Sequence, residues 1–252
     1  MDLAPIACAT DLRKSGDIAA AWAAFLAKAH GVPVKLLHAK GEPEPELETD
    51  VPPMMLDVAK VYNERIVEER VAVRHALARQ AAAIDAEGVE VHPETIEGRA
   101  AEALLDYVAR VPVSLVVVGP HTRLFDDAIT ERALLPLGTT AERLANASPV
   151  PVFIARRETP VPGRRLRLLF DLEYAEDAPE LETQARAIAA RLGAQFLVVD
   201  HEADLRALAE DTTATHVLAT AATREGGGFV LASPATRRHR RYPFPVLALP
   251  RR

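Results

Sequence analysis

A single cysteine, Cys8, stands in 252 residues. One thiol excludes an internal disulfide framework and suits a reducing compartment, so the expected location is cytoplasmic. No apolar run approaches 18 residues, so no membrane-spanning helix is expected. The opening Met1-Asp2-Leu3-Ala4-Pro5 lacks a basic region followed by an apolar core, and no signal peptide is expected. Positive charge is not in excess: 30 Lys and Arg against 36 Asp and Glu leave a formal net charge of −6. That balance disfavours general nucleic-acid binding.

The marks of catalysis and of metal binding are missing as well. Eight histidines are scattered without a spacing such as His-x3-His, and one Cys makes no zinc pattern. There is no Gly-x4-Gly-Lys-[Ser/Thr] loop and no Gly-x-Ser-x-Gly elbow. No acid and base are placed together by the sequence, so no catalytic residue and no metal ligand set is assigned. What is present, 49% apolar and 26% charged residues, is ordinary for a globular protein. The length allows one large domain or two small ones.

The most informative stretch runs from Val113 to Ala155. Leu115-Val116-Val117-Val118 is a continuous apolar run that suits a strand covered on both faces, and Gly119 ends it. Gly at the carboxyl end of such a strand lets backbone approach a ligand. Leu137-Gly138-Thr139-Thr140 repeats the arrangement at a helix start, where free N–H groups favour an anion. Pro149-Val150-Pro151-Val152-Phe153-Ile154-Ala155 then reads as another strand.

Upstream, Leu3 to Ala9 reads as a first buried strand and Ser15 as the N-cap of a helix, with Asp17 in its first turn. Ile18, Trp22, Phe25, Leu26 and Ala29 form its apolar face, and Gly31 stops it. Val34 to Ala39 is the second strand. Gly41 to Pro53, acidic and rich in Pro, is a loop. From Met55 to about Ala86 the spacing predicts one long helix or two collinear ones. Val89 to Thr95 is a third strand, and Ala101 to Arg110 a helix with Leu104, Leu105 and Val108 inward.

These residues resemble the universal stress proteins. Nucleotide-binding members of that family carry Gly-x2-Gly-x9-Gly-[Ser/Thr] after the fourth strand, then a helix and a Pro-x-Pro-Val strand. Ile6-Ala7-Cys8-Ala9-Thr10-Asp11 is similar to the family's first strand and its Asp, and Leu36-Leu37-His38-Ala39 to its second strand end. The resemblance covers about residues 3 to 155. Two departures stand out: Thr122 occupies the second Gly position, and fifteen residues, Arg123 to Leu137, precede Gly138 where the family has nine. If position 122 needs positive φ, a β-branched residue there costs roughly 1 kcal/mol or more.

The resemblance implies an adenine nucleotide, ATP with or without Mg²⁺. Asp11 would bond the ribose or the adenine; Thr10 and Ala39 would line the base pocket. Gly119, Gly138, Thr139 and Thr140 would meet phosphates, and His121, Thr122 and Arg123 would lie in the same turn, the two cationic types adding charge-assisted contacts. Asp126, Asp127 and Glu131 of the enlarged loop would repel a triphosphate or share Mg²⁺ with it. For each there is a plainer alternative: Asp11 as the cap of a neighbouring turn, the glycines as ordinary strand-to-helix turns, the loop carboxylates as a solvated helix face.

Arg156 to Arg165, with Pro, Gly and charge, reads as a linker, its last eight residues (158–165) dividing a first unit, 1–157, from a second, 166–252. The second repeats the first in degenerate form. Leu166 to Asp171 parallels Ile6 to Asp11; Leu181, Ala185, Ile188 and Leu192 are spaced as a covering helix that Gly193 ends. Leu205 to Arg224 lies on Leu104 to Arg123 at a shift of 101, and Pro243-Phe244-Pro245-Val246 on Pro149-Val150-Pro151-Val152 at a shift of 94. Nothing matches the long helix and third strand. Thr220 replaces Gly119 and Ala232-Ser233 replaces Gly138-Thr139, so no nucleotide is expected there. The basic run Arg237-Arg238-His239-Arg240-Arg241, aligned on Arg143 to Ala147, becomes the outer face of a last helix rather than a nucleic-acid patch.

The expected fold is therefore α/β: two universal-stress-protein-like half-domains, of the adenine nucleotide alpha-hydrolase-like, Rossmann-like type, with parallel sheets. They would pack as an internal pseudo-dimer whose seam is Val152 to Ala155 against Val246 to Leu249, with a homodimer of whole chains as a further expectation. The expected function is stress-response binding or regulation, with at most one nucleotide site, in the first half. A protein–protein interaction module without nucleotide is the first alternative, and a slow ATPase the second.

Overall fold

The structure is a computed structural model that describes residues 4–41, 53–119, 139–156, 159–161, 163–171, 178–199, 205, 207–208, 211, 213–221 and 244–250. Several of the predicted features lie outside these residues: the acidic Pro loop 42–52, the turn residues His121, Thr122 and Arg123, the loop carboxylates, Gly138, Ala232-Ser233 and the basic run 237–241.

Nine strands form one sheet. In chain order they are β1 (Ile6–Thr10), β2 (Val34–Lys40), β3 (Val91–Glu97), β4 (Leu115–Val118), β5 (Val152–Ile154), β6 (Arg165–Asp171), β7 (Gln195–Val199), β8 (Ala214–Ala221) and β9 (Val246–Leu249). Their order across the sheet is β3-β2-β1-β4-β5-β9-β8-β6-β7. Every neighbouring pair is parallel except β5 with β9, which is antiparallel. The strands up to residue 154 run 3-2-1-4-5, and β7-β6-β8-β9 keeps the order of β2-β1-β4-β5 without a counterpart of β3. The two segments expected at the seam are thus neighbours, with Phe153 opposite Leu247. Because the seam is antiparallel, the carboxyl ends of the strands on its two sides lie at opposite edges of the sheet.

Among the described residues five helices cover the sheet: α1 (Lys14–His30), α2 (Pro53–Asp85), α3 (Ala100–Arg110), α4 (Thr139–Ala147) and α5 (Ala178–Arg191). On one face α1 brings Ala19, Ala20, Ala23, Ala24 and Ala27, all buried, between the sheet and α2. Small side chains there let the helix axis approach both layers. Trp22 fills the remaining volume, its ring centroid 4.9 Å from that of Phe153. The same apolar cluster continues across the seam through Leu247 to Leu168 and Phe170, under Leu181, Ala185 and Ala189 of α5. On the other face Leu104, Tyr107 and Val108 of α3 and Ala141 and Leu144 of α4 cover Ala7, Ala9, Leu37, Val116 and Val118. Alternate residues of β1 therefore feed two cores, as a strand covered on both faces requires.

Three local expectations are corrected. Ser15 is not the N-cap of α1; Arg13 holds that position without a side-chain cap, and Ser15 lies buried in the first turn. Ala29 is exposed rather than inward, because the chain is already turning into Gly31, whose φ of 65° makes it the left-handed cap. The third strand begins two residues later than expected and tolerates Pro93 because it is an edge strand. The long segment is one continuous helix of 33 residues.

Candidate functional site

The chain leaves β1 for β2 on one side and returns to β4 on the other, so the carboxyl ends of β1 and β4 flank a point where strand order reverses. Open α/β sheets bind ligands at such crevices. The first turn of α1 sits there, and its fit is close. A β-carbon on Gly16 would stand 2.2 Å from Thr10 Oγ1 and 2.8 Å from Asp11 Oδ1. One on Gly119 would stand 2.5 Å from the carbonyl oxygen of Ser15. Both glycines are required by helix-on-strand packing before any ligand is considered.

Asp11 holds that turn in place. Its Oδ1 accepts the backbone N–H groups of Arg13 and Gly16, each at 3.0 Å, and its Oδ2 accepts the Ser15 hydroxyl at 2.6 Å. The missing N-cap side chain of α1 is thus supplied from two residues upstream, beside the helix's positive end. Between them Leu12 takes φ 62°, the left-handed region, at a cost of about 1–2 kcal/mol for a residue with a β-carbon. The Leu12 N–H is held by Thr10 Oγ1 at 2.9 Å. A carboxylate offers about four acceptor positions; among the described residues three are taken, so the half-buried Asp11 has one that no described donor fills. A ribose hydroxyl or an adenine amino group fits that remaining position chemically.

Thr10 points its side chain to the α1 and α2 side. Its hydroxyl donates to Gln80 Oε1 at 2.6 Å, Gln80 Nε2 donates to Asp17 Oδ1 at 2.8 Å, and Arg79 reaches the same carboxylate oxygen at 3.2 Å. Gln80 is only 1% exposed, so its bond to Thr10 is an interior one that ties α2 to the end of β1, and the chain of bonds reaches the surface at Asp17 and Arg79. At the neighbouring strand, His38 Nδ1 lies 3.1 Å from the Thr10 carbonyl oxygen. A carbonyl only accepts, so Nδ1 carries the proton, and in the neutral ring Nε2 is left as an acceptor. Ala39 follows on the α3 face, in register with Ile96.

Thr139 and Thr140 open α4, with Glu142 in its first turn. Ala141 and Leu144 bury the inner side of that helix, and Arg143 reaches Glu102 of α3 at 3.1 Å. Beyond β5, Arg156 is 6% exposed, a buried cation at the same sheet edge as Thr10 and Asp11. Of the residues expected to form the site, Thr10, Asp11, Ala39, Gly119, Thr139 and Thr140 fall among those described, at the carboxyl edge or leading into it. His121, Thr122, Arg123 and Gly138 lie outside. Sequence reasoning missed Gly16, Gln80, His38 and Arg156; a Gly in the first turn of a helix directly after β1 is the one signal that could have been read.

A second polar cluster lies on β8 and β6, four and five strands from β1, on the α3 and α4 face of the sheet. Arg167 pairs with Asp211 and comes within 3.4 Å of His216 Nε2, while the His216 ring packs 5.5 Å from that of Phe244. Burial, then the Arg167 charge, pull the His216 pKa below its ordinary value against the opposing pull of Asp211. The hydroxyl and N–H of Thr213, with Arg167, hold the Asp211 carboxyl at about 2. Among the described residues no group of three or more His, Cys, Asp or Glu is placed to hold a metal ion, and no helix is long and apolar enough to cross a membrane.

Comparison with known proteins agrees with this architecture. A universal stress protein from Archaeoglobus fulgidus is 17% identical over 98% of both chains, with a TM-score of 0.66. A putative universal stress protein from Pseudomonas aeruginosa is 14% identical over 98% of this chain and 93% of that one, at 0.58. At these identities the likeness is one of fold. Another A. fulgidus universal stress protein, solved in complex with dAMP, is 18% identical over 62% of this chain and all of its own, at 0.41. No curated protein sequence matches the chain. The model of the universal stress protein family matches residues 4–156, the stretch from before β1 to just past β5 and more than half of the sequence. The chain belongs to the universal stress protein family.

Proposed function

We propose that the chain is a stress-response binding protein of the cytoplasm that takes one adenine nucleotide, ATP or AMP, at the carboxyl ends of β1 and β4. The observation that carries this reading is the half-buried Asp11 carboxylate, fixed at a strand-order reversal with one acceptor position left for a ribose or adenine donor. Beside it, the carboxyl end of β2 with Ala39 would receive the base, and Gly119 with the Gly138-Thr139-Thr140 start of α4 would receive phosphate oxygens. His121 and Arg123 would add charge to that contact, and the carboxylates of the enlarged loop would share Mg²⁺ with a triphosphate.

In the same reading the chain is a degenerate tandem of two family units, joined as an internal pseudo-dimer along β5 and β9. The repeated strand order and the antiparallel seam support it. The second unit holds no nucleotide, since Thr220 and Ala232 stand where the first has Gly119 and Gly138. The protein binds and signals rather than catalyses; a slow ATPase would need a water-activating group, and none is identified among the described residues.

One observation favours a second reading, an interaction module without nucleotide. Gly119 is explained by the Ser15 carbonyl alone, so its presence does not require a phosphate. Calorimetric titration of ATP into the full chain, with and without Mg²⁺, separates the two. Saturation near one ATP per chain, lost in Gly138→Val, supports the first; no heat and no thermal shift at millimolar ATP overturns it in favour of the second.

A further inference from the structure

The two outer strands of the sheet are guarded differently. β3 carries Pro93, and its side chains at His92, Glu94 and Glu97 are polar and exposed along most of its length. Proline and charge are the usual means of keeping an edge from pairing with another chain. β7 reads Gln195-Phe196-Leu197-Val198-Val199, with neither proline nor charge. Val198 is 43% exposed, and among the described residues no strand lies beyond β7. Among the described residues this half has no counterpart of β3 to cover it.

We propose that β7 is a self-association edge at which a second copy of the chain pairs antiparallel about a two-fold axis through Leu197. In that register Phe196 faces the second copy's Val198, Gln195 faces Val199, and Leu197 meets itself. The alternation of the strand makes the match work on both faces. Phe196 belongs to the face that carries Phe170, with which its ring stacks at 6.1 Å; Leu197 and Val199 belong to the opposite cluster with Leu169 and Leu218. Aromatic and β-branched residues directly opposite are favourable cross-strand pairs, and each exposed Val198 gains an aromatic neighbour.

An uncharged strand meets its own copy without repulsion, and a two-fold contact closes at two chains. Pairing β7 with the β3 edge of another copy would set it against Pro93, which has no N–H to give, and would leave open ends for further addition. A ladder of five residues with its flanks buries less than the roughly 1,200 Å² of stable interfaces, so the association is reversible and weak, with Kd on the order of 0.1 mM.

Sedimentation equilibrium of the full chain from micromolar to about millimolar concentration tests this. The expected result is a monomer–dimer equilibrium that Val198→Lys weakens at least tenfold while leaving the melting temperature in place, because residue 198 is exposed and its new ammonium would approach the second copy's Arg186, which lies over Phe196 at 4.3 Å. Leu197→Cys, oxidised in dilute solution, should give a disulfide-linked dimer; Cys8 is fully buried and does not compete. A wild-type chain that stays monomeric throughout, or a dimer that Val198→Lys leaves unchanged, overturns the proposal. A dimer sensitive to Val198→Lys without the Leu197→Cys disulfide overturns the register.

Discussion

The carbonyl oxygen of Ser15 occupies the place a β-carbon on residue 119 would take, 2.5 Å away. Glycine at the end of β4 is therefore a condition for seating the first turn of α1. Gly119→Ala should lower stability by about 1–3 kcal/mol, the usual cost of forcing an extra carbon into a packed site, and should do so without any nucleotide present. Chemical denaturation of the unliganded chain reads this directly. A variant as stable as the wild type would mean that the turn has room and that the glycine serves a ligand instead.

Gln80 is a buried amide whose two ends are both spoken for, by Thr10 and by Asp17. Gln80→Leu removes both bonds at once and leaves the buried Thr10 hydroxyl facing an apolar group, while the Asp17 oxygen keeps Arg79. The expected loss is about 1–3 kcal/mol. Thr10→Val should cost a similar amount, since it strands Gln80 Oε1 and the Leu12 N–H. Because the two residues share one bond, their effects should not add: the double variant should lose less than the sum of the single ones. Strict additivity in urea unfolding would break the proposed link between α2 and the end of β1.

Much of this was legible in the sequence, and the misses have physical causes. The apolar runs of β1, β2, β4 and β9 and the period of α1 and α3 stand out because burial on one face or two imposes a pattern. Gly31 and Gly193 stand out because positive φ is cheap only for glycine. The start of α1 was hidden because its cap comes from Asp11, through a left-handed Leu12 that no sequence rule expects. The need for glycine at 119 was visible, but its cause is a carbonyl more than a hundred residues away in the chain. The bond between Thr10 and Gln80 spans 70 residues, and a lone Gln on a long polar helix carries no sign of burial. Arg156 looks like linker because Pro and charge follow it, yet it comes directly after the buried end of β5.

Stability should fall with acid over two separate pH ranges. His216 and His30 both have folded pKa values below the ordinary one, through burial first and then the nearby charges of Arg167 and Arg191 respectively. A lowered histidine pKa means that the unfolded chain binds more protons, so stability is full above about 6.5 and falls as pH drops through that value. Asp211, held at about 2 chiefly by Thr213, contributes stability that is present above its unfolded value near 4 and lost as pH falls through about 2. His216→Gln should flatten the loss between pH 7 and 5 and leave the lower step intact, while Asp211→Asn should remove the lower step and, by taking away the charge that raises the His216 pKa, enlarge the upper one. Urea midpoints across pH 2 to 8 give the comparison, and an unchanged upper limb in His216→Gln would show that the ring is not the proton acceptor.

Trp22 is the chain's only tryptophan and reports on the seam. It is 1% exposed, and Phe153, whose ring it packs against, belongs to β5 and pairs with Leu247 across the antiparallel junction. Phe153→Ala removes the side chain that links α1 to the seam and leaves a cavity between them, at an expected cost of about 3–5 kcal/mol. The same change should shift Trp22 emission to the red, as water or greater mobility reaches the indole. Leu247→Ala, on the far side of the seam, should cost about 2–5 kcal/mol and shift the emission less, because it is Phe153, the residue opposite Leu247, whose ring packs on the indole. If both variants moved the emission equally, the seam would be loosening as a whole; if Phe153→Ala left it unmoved, the contact between these two rings would not be what buries Trp22.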